Sequence, residues 1–466
     1  MSKIAKDKKK ELIQTPKGTR DILPEEAHIW QKIEEKARSV AEFYGFQPIR
    51  TPHFEHSEIF TATLGEATDV VEKQMYSFKT RGLDALTLRP EGTVPVMRAY
   101  IEHGMKNLPQ PVMFYYNGSF FRHESPQKGR YREFGQFGLE ILGDESPASD
   151  ATIIRVLTLI LEEIGLKNYT VQVNTLGDKE CRAAYRKELT AYLRKHANYL
   201  CKDCKNRLKT NPLRVLDCKE ESCGEIKEKA PQMLEHVCAP CKAHFKEVLV
   251  LLDEMKIPYA FNHYLVRGLD YYTRTVFEIV LDGKPLSAPR SDAVTEGAEN
   301  AVEKKEEKPE DKEKEITGLA MGGGGRYDYL GSALSARQPV PAAGGAVGLD
   351  RLAEAVALAG VTGLTKRKQP KIFLIQLGPE AKRKSFVLFE EFRKAGLAVA
   401  KSFSRDSISS QLKIAAKLGV SYAIIIGQKE AFDQAAIVRS MDSGIQETVP
   451  LAELEAYIKE KLKKHV

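Results

Sequence analysis

Phe121-Arg122-His123-Glu124, then Ser125-Pro126-Gln127-Lys128-Gly129-Arg130-Tyr131-Arg132, then Glu133-Phe134-Gly135-Gln136-Phe137-Gly138-Leu139-Glu140 is the stretch on which the rest of the chain depends. The apolar run Val112-Met113-Phe114-Tyr115-Tyr116 precedes it and Ile141-Leu142 follows, a pattern that predicts two strands joined by a basic, glycine-containing loop. Period-2 alternation puts Arg122 and Glu124 on one face of the first strand, and Gln136 and Glu140 on one face of the second. If those faces adjoin, a fixed guanidinium and two acceptor-bearing side chains enter one site, and the loop adds Lys128, Arg130 and Arg132. Such a site suits a phosphate-bearing ligand beside a second, hydrogen-bonded one. The plainer alternative is a surface hairpin with a solvated charged turn.

The bulk composition is that of a soluble globular protein. At 466 residues, 42% hydrophobic and 29% charged, it has material for two to three domains with real cores. A net charge of +7 permits a nucleic-acid partner without demanding one. No apolar run approaches membrane-spanning length, and the lysine-rich residues 1–10 lead into no apolar segment, so a cytoplasmic protein is expected. Seven cysteines in a chain without a secretory signal argue for reduced thiols or metal ligands over disulfides.

Outward from the hairpin, residues 1–14 read as a disordered basic lead, and Pro24 is placed to open a helix over 25–43 that Gly45 ends. Residues 46–54 are extended but proline-interrupted, which suits a sheet edge or an interface. Strands are predicted at 75–78 and 86–89, the second running through Pro90-Glu91-Gly92-Thr93 into a helix over 94–103. A carboxylate and a hydroxyl at that junction can hold an ammonium group; capping of the helix by Thr93 is the structural alternative. A helix over 152–165 and a strand over 169–173 follow.

Residues 178–256 turn charged, helical and cysteine-bearing, as an inserted subdomain would. Cys201-x2-Cys204 and Cys238-x2-Cys241 offer four thiolates on two tight turns to a structural zinc, with Cys218-x4-Cys223 as a third pair; reduced buried thiols are the other reading. No open ligand position points to catalytic zinc. Next, Arg267-Gly268-Leu269-Asp270-Tyr271-Tyr272 gathers hydrogen-bonding groups and a guanidinium around a glycine, before a strand over 276–281. Residues 283–317, almost wholly Lys, Glu, Asp and Pro in their second half, read as a disordered charged insert. The run Gly322-Gly323-Gly324-Gly325 reads as a turn by default, or as a place of close backbone approach. Small residues 342–348 lead into a helix whose first turn carries Arg351. After a polar linker, residues 370–466 alternate strands and helices as a separate α/β domain.

These pieces resemble one family, the class II histidyl-tRNA synthetases. Pro16-Lys17-Gly18-Thr19-Arg20-Asp21 resembles its N-terminal signature, the helix and extended segment ending at Pro52 resemble motif 1, and Phe121-Arg122-His123-Glu124 with its hairpin resembles motif 2. Gly348-Leu349-Asp350-Arg351 resembles motif 3. The 265–272 stretch and Gly324-Gly325-Arg326-Tyr327-Asp328 are similar to histidine-specific signatures. The resemblance implies an α+β catalytic domain, residues 15–177 and 257–365, built on an antiparallel sheet with flanking helices. It further implies a helical insertion at 178–256, a C-terminal anticodon-binding domain and a homodimer.

The activity implied is ATP-dependent attachment of L-histidine to tRNA(His) through a histidyl-adenylate, with Mg2+ accompanying ATP. Arg122 and Arg267 are expected at the α-phosphate, Glu124 near the adenine, and Arg351 at the γ-phosphate, with Arg130 in the same ATP site. Glu91, Gly92, Thr93 and Gln136 are expected around the α-amino group of histidine, and Glu140, Tyr271 and Tyr272 around its imidazole. Loop 125–132 is expected at the tRNA acceptor end. Neither the six clustered cysteines nor the 283–317 insert is general to the family. Three rivals remain: an inactive synthetase-like regulatory subunit of histidine biosynthesis, a synthetase for proline, threonine or glycine, and a structural tRNA-binding protein.

Overall fold

The alternation read in the hairpin becomes the centre of the fold. The structure, a computed structural model, describes residues 13–65, 68–126, 129–218, 220–282, 320–365, 370–402 and 407–463. The disordered lead, the 283–317 insert and Lys128 thus fall wholly or largely outside the described residues. Two compact units emerge, Met1–Thr365 and Lys366–Val466. No described helix is long and apolar enough to cross a membrane.

In chain order, the strands of the first unit are β1 (Gln47–Pro48), β2 (Phe54–His56), β3 (Tyr76–Lys79), β4 (Ala85–Leu88), β5 (Val112–Phe121) and β6 (Glu133–Leu142). After them come β7 (Tyr169–Thr175), β8 (Tyr259–Phe261), β9 (Thr273–Leu281), β10 (Ala320–Arg326) and β11 (Ala342–Gly348). Eight form one sheet in the order β1-β5-β6-β11-β10-β9-β7-β8. The six central strands are antiparallel to their neighbours, while β1 and β8 add in parallel at the two edges. As expected, the proline-interrupted segment after the first helix is an edge strand. A smaller sheet, β2-β4-β3, stands beside it.

Because side chains alternate across a strand, the sheet has two unlike faces. One carries Phe137, Leu139, Ile141, Phe277, Ile279 and Val347, all buried in the main core. Helices Pro24–Phe43, Pro147–Glu163 and Leu349–Leu358 cover it with Ile33, Ala37, Leu157, Leu161, Leu352 and Val356. The second of these starts earlier than the predicted 152: Ser146 accepts from the Ala148 amide at 3.2 Å and Pro147 takes the first helical position, a start signal in plain sequence. The other face is the candidate site.

The insertion contains helices Lys179–Lys195, Lys202–Thr210, Glu221–Glu228 and Ala239–Glu254 around a core of its own that includes Tyr185, Leu189 and Leu213. The last helix changes allegiance along its length. Cys241 belongs to the insertion's core, whereas Phe245, Val248 and Leu252 belong to that of the sheet.

The second unit contains β12 (Ile372–Gln376), β13 (Val399–Lys401), β14 (Tyr422–Ile426), β15 (Ala435–Ser440) and β16 (Gln446–Pro450) in the order β13-β12-β14-β15-β16. The predicted alternation of strands and helices is present, with β13, β12 and β14 parallel, and β15 and β16 add to the sheet antiparallel. Their signal was weak: β16 buries Val449 alone.

Candidate active site

Register brings one set of positions to one face. Phe114 pairs with Glu140 and Gly118 with Gln136; Glu140 pairs with Gly344 and Gln136 with Gly348. Gly344 in turn pairs with Gly325, and Gly323 with Glu278. The floor is therefore largely glycine, with a few polar side chains rising from it. The four-glycine run is no turn: it is β10, in the middle of the sheet. A Cβ at Gly344 would stand 1.7 Å from Glu140 Oε2, one at Gly323 would stand 2.7 Å from the Arg267 guanidinium, and one at Gly325 would stand 3.0 Å from the Tyr272 ring. The missing side chains are the space that those groups fill.

At one end of this floor lies a buried hydroxyl and carboxylate cluster. The Glu91 carboxylate accepts from the backbone amides of Thr93 and Val94 at 2.9 and 2.8 Å. Glu91, and not Thr93, thereby caps the helix Thr93–Glu102; the Thr93 hydroxyl instead donates to Glu140 Oε1 at 2.8 Å. Tyr116 donates to the same oxygen at 3.2 Å, and Tyr327 to Oε2. Burial pushes the Glu140 carboxyl up to about 8, with the hydroxyl donors offsetting only part of that shift. Tyr271 donates to Glu91 Oε2 at 3.2 Å, and its ring lies 4.6 Å from that of Tyr272. Gly92 admits the Tyr116 ring, which its Cβ would meet at 2.3 Å. Gln136 shares the face with Glu140, two residues of alternation away, as the parity argument required.

At the other end, guanidinium groups gather. Strand β5 stops at Phe121, so Arg122 and Glu124 lie just past it and are not presented by strand alternation. Arg122 Nε donates to the Pro90 carbonyl at 2.8 Å, and its Nη1 stands 3.8 Å from Glu124 Oε1. Arg267 pairs with Glu278 and faces the Tyr272 ring at 5.9 Å. Arg351 Nε donates to the Gly129 carbonyl at 3.1 Å, tying motif 3 to the hairpin loop. Its pKa falls below the ordinary arginine value, first from burial and then from the positive charges of Arg130 and Arg122. Like charges held this close form a site for a polyanion.

Comparison with known proteins agrees with this geometry. The model of the family described as "Histidyl-tRNA synthetase" matches residues 18–289, and that of "Anticodon binding domain" matches residues 371–461. A histidine–tRNA ligase of Natranaerobius thermophilus is 39% identical over 450 residues, covering 96% of this chain and 99% of its own. One from Caldicellulosiruptor saccharolyticus is 42% identical over 452 residues, covering 97% and 100%. The chain belongs to the histidyl-tRNA synthetase family. The solved apo histidyl-tRNA synthetase of S. aureus matches with a TM-score of 0.72 at 32% identity, covering 96% of this chain and 99% of that one.

Several supports of this class II synthetase fold escaped the residue-level reading. Tyr116 belongs to an apolar run in the sequence, yet it lies on the Glu140 face: it is one alternation step from Phe114, Glu140's partner. Tyr327 stood within a quoted signature without a role. Asp350, beside Arg351, accepts from the Gly135 amide at 2.8 Å and from Arg20 at 3.2 Å, so the N-terminal signature, motif 2 and motif 3 meet at one carboxylate. Arg326, fully buried, donates to Asp150, to the carbonyls of Asp144 and Ser146, and to Asp328. Burial would raise the Asp150 carboxyl, but Arg326 and His244 outweigh it and hold it below its ordinary value.

The four cysteines expected to share one zinc do not meet. Cys201 and Cys204 gather with Cys218 and Cys223, while Cys238 and Cys241 gather with Asp178 and Cys181. Spacing alone paired the wrong turns, because helix packing and not sequence order decides which knuckles face each other.

Proposed function

We propose that the chain activates L-histidine with ATP and transfers the histidyl group to tRNA(His), releasing pyrophosphate in the first step and AMP in the second. The observation that carries this reading is the shared glycine floor, with a buried carboxylate and hydroxyl cluster at one end and clustered arginines at the other. A small zwitterion with a polar ring fits the first end, and a triphosphate fits the second.

On this reading, the Glu91 carboxylate and the Gln136 amide hold the α-ammonium group, with Thr93 fixing the geometry from the mouth of its helix. Glu140 and Tyr272 take the two imidazole nitrogens, and Tyr271 walls the ring. ATP enters as its magnesium complex. Arg122 and Arg267 flank the α-phosphate, Glu124 reads the adenine edge, and Arg351 with Arg130 holds the terminal phosphates. The histidine carboxylate then attacks the α-phosphorus in line and pyrophosphate leaves; guanidinium groups stabilise the charge that builds on the non-bridging oxygens. A ribose hydroxyl at the tRNA terminus next attacks the adenylate carbonyl and AMP departs. Basic loop 125–132 meets the acceptor end, and the second unit meets the anticodon.

The protein acts in the cytoplasm as a homodimer. Exposed Phe43, Phe54 and Phe78 on the motif 1 side supply apolar surface for a second copy. The regulatory-subunit alternative is not favoured, since relatives 39–40% identical over nearly the full chain carry the ligase name.

ATP–pyrophosphate exchange with each standard amino acid tests the proposal. Exchange dependent on histidine alone is the expected result. Exchange with another amino acid overturns the pocket assignment, and no exchange in folded protein overturns the catalytic reading.

A further inference from the structure

We propose that the insertion carries two structural zinc ions, one held by Cys201, Cys204, Cys218 and Cys223 and the other by Asp178, Cys181, Cys238 and Cys241. In each group the four ligand atoms lie within 4.8 Å of one another. The proposal is independent of the aminoacylation reading.

The donor count is the first argument. The chain has seven cysteines, and these two groups use them all. Tetrahedral zinc needs four donors, so two ions need eight, and Asp178 supplies the eighth. An odd number of cysteines, awkward for disulfides, thus becomes a complete ligand set.

Geometry is the second. Zinc–sulfur bonds of about 2.3 Å in a tetrahedron put sulfurs roughly 3.8 Å apart, and a carboxylate oxygen roughly 3.5 Å from each sulfur. Cys201 and Cys218 hold their sulfurs 3.9 Å apart, and Asp178 Oδ2 stands 3.4 and 3.3 Å from the sulfurs of Cys238 and Cys241. Backbone amides point at the sulfurs as they do at thiolates: Cys204 N to Cys201 Sγ at 3.4 Å, Cys201 N to Cys223 Sγ at 3.3 Å, and Cys238 N to Cys181 Sγ at 3.1 Å. Asp178, Cys201 and Cys238 each sit at a helix N-cap, with Cys181, Cys204 and Cys241 three residues on in the first turn. That end of a helix favours negative ligands.

The third argument is need. Five of the fifteen buried residues in the insertion's core are cysteines, so thiols make up a third of what holds its four helices together. Small subdomains use structural metals as staples. The Asp178 group joins the entry of the insertion to its exit, and the other group knots its interior. Both groups are linked in sequence to residues that touch the 270–272 segment. Arg182, adjacent to Cys181, donates to the carbonyls of Asp270 and Tyr272 at 3.1 and 2.9 Å. Asn211, between Cys204 and Cys218, donates to Asp270 Oδ1 at 2.7 Å.

The test is elemental analysis of the full-length protein purified without chelators. Two equivalents of zinc per chain are expected. Cys223→Ser should retain one equivalent through the Asp178 group, and Cys241→Ser should retain one through the tetracysteine group. Cobalt(II) added to metal-stripped protein provides a second readout. Two equivalents should bind with intense thiolate charge-transfer and tetrahedral ligand-field bands, and Asp178→Cys should keep both while shifting the spectrum towards that of four sulfurs. Protein that is folded and free of zinc, iron in its place, cysteines found as disulfides by mass, or only weak octahedral cobalt bands would each overturn the assignment.

Discussion

The Thr93 hydroxyl donates to Glu140 Oε1 at 2.8 Å, joining the first residue of a helix to a carboxylate in the middle of the sheet. Tyr116 and Tyr327 complete the donor shell around that carboxylate. Glu140→Gln keeps the volume, but where the carboxyl carries a single proton it sets an amide NH2 with two donors among the hydroxyl donors of Thr93, Tyr116 and Tyr327, and it removes the ionisable group assigned to the imidazole. In a site built on hydrogen bonds, this should lower kcat/KM for histidine by roughly 10²-fold or more while the KM for ATP moves little. Steady-state exchange kinetics check it. An unchanged KM for histidine would remove Glu140 from the pocket.

The same residue predicts a pH dependence of stability. Burial raises the Glu140 carboxyl to about 8 in the folded state, against an unfolded value of about 4.3. Between those values the folded protein holds a proton that the unfolded chain has released. Glu140's contribution to stability therefore falls as pH rises through that window, by at most about 1.4 kcal/mol per pH unit, and levels off above the folded value. Glu140→Gln removes the effect. Denaturant melts from acid to mildly alkaline pH should show the variant gaining on the parent protein as pH rises; parallel curves would contradict the buried, proton-holding carboxyl.

Arg267 is paired with Glu278 and faces Tyr272, and the proposed reading sets it beside the α-phosphate. Arg267→Ala should slow single-turnover adenylate formation by about 10²–10³-fold, the usual loss when one preorganised donor is removed. Its melting temperature should stay close to that of the parent, because the pair is partly solvated. Arg267→Lys should not restore the rate, since an ammonium cannot reproduce the planar fork. Near-normal adenylation in quench-flow would exclude Arg267 from the mechanism.

Gly344 and Gly348 lie on the same floor with Ala346 between them, yet they should respond differently to alanine. A Cβ at Gly344 would press on Glu140 Oε2 and stand 2.8 Å from the Leu139 carbonyl, whereas one at Gly348 meets nothing nearer than 3.7 Å. Gly344→Ala should destabilise by about 1–3 kcal/mol through overpacking. Gly348→Ala should stay within about 0.5 kcal/mol of the parent. Chemical denaturation of the two variants side by side decides the matter, and equal stabilities would refute the close packing at Gly344.

This contrast also explains what the sequence could and could not disclose. The hairpin was legible because β5 and β6 are adjacent in sequence and joined by a basic glycine-containing loop, so the period of a strand alone placed Gln136 and Glu140 on one face. The glycine run was not, since residues without side chains leave no periodic pattern and a central strand reads like a turn. Tyr116 and Tyr327 meet at Glu140 only through the pairing of strands β5, β6, β11 and β10, and local spacing carries no record of strand order. Asp178 escaped for the same reason: a carboxylate three residues before a lone cysteine becomes a candidate ligand only when the helix starting at Ala239 packs beside it.

Arg182 carries the last prediction, because it reaches the site only through backbone. Its Nη1 donates to the carbonyls of Asp270 and Tyr272, in the loop that delivers Tyr271 and Tyr272 to the floor. It touches neither Glu140 nor the arginine cluster, so it acts as a positioning residue. Arg182→Ala strands two carbonyls and should destabilise the protein by about 1–3 kcal/mol. A structural loss alone would lower active enzyme and reduce kcat for both substrates together. A displaced loop should instead raise the KM for histidine, by roughly tenfold for a loss of about 1.4 kcal/mol in binding, and leave the KM for ATP nearly unchanged. Active-site titration followed by separate KM measurements distinguishes the two, and equal shifts for both substrates would count against positioning.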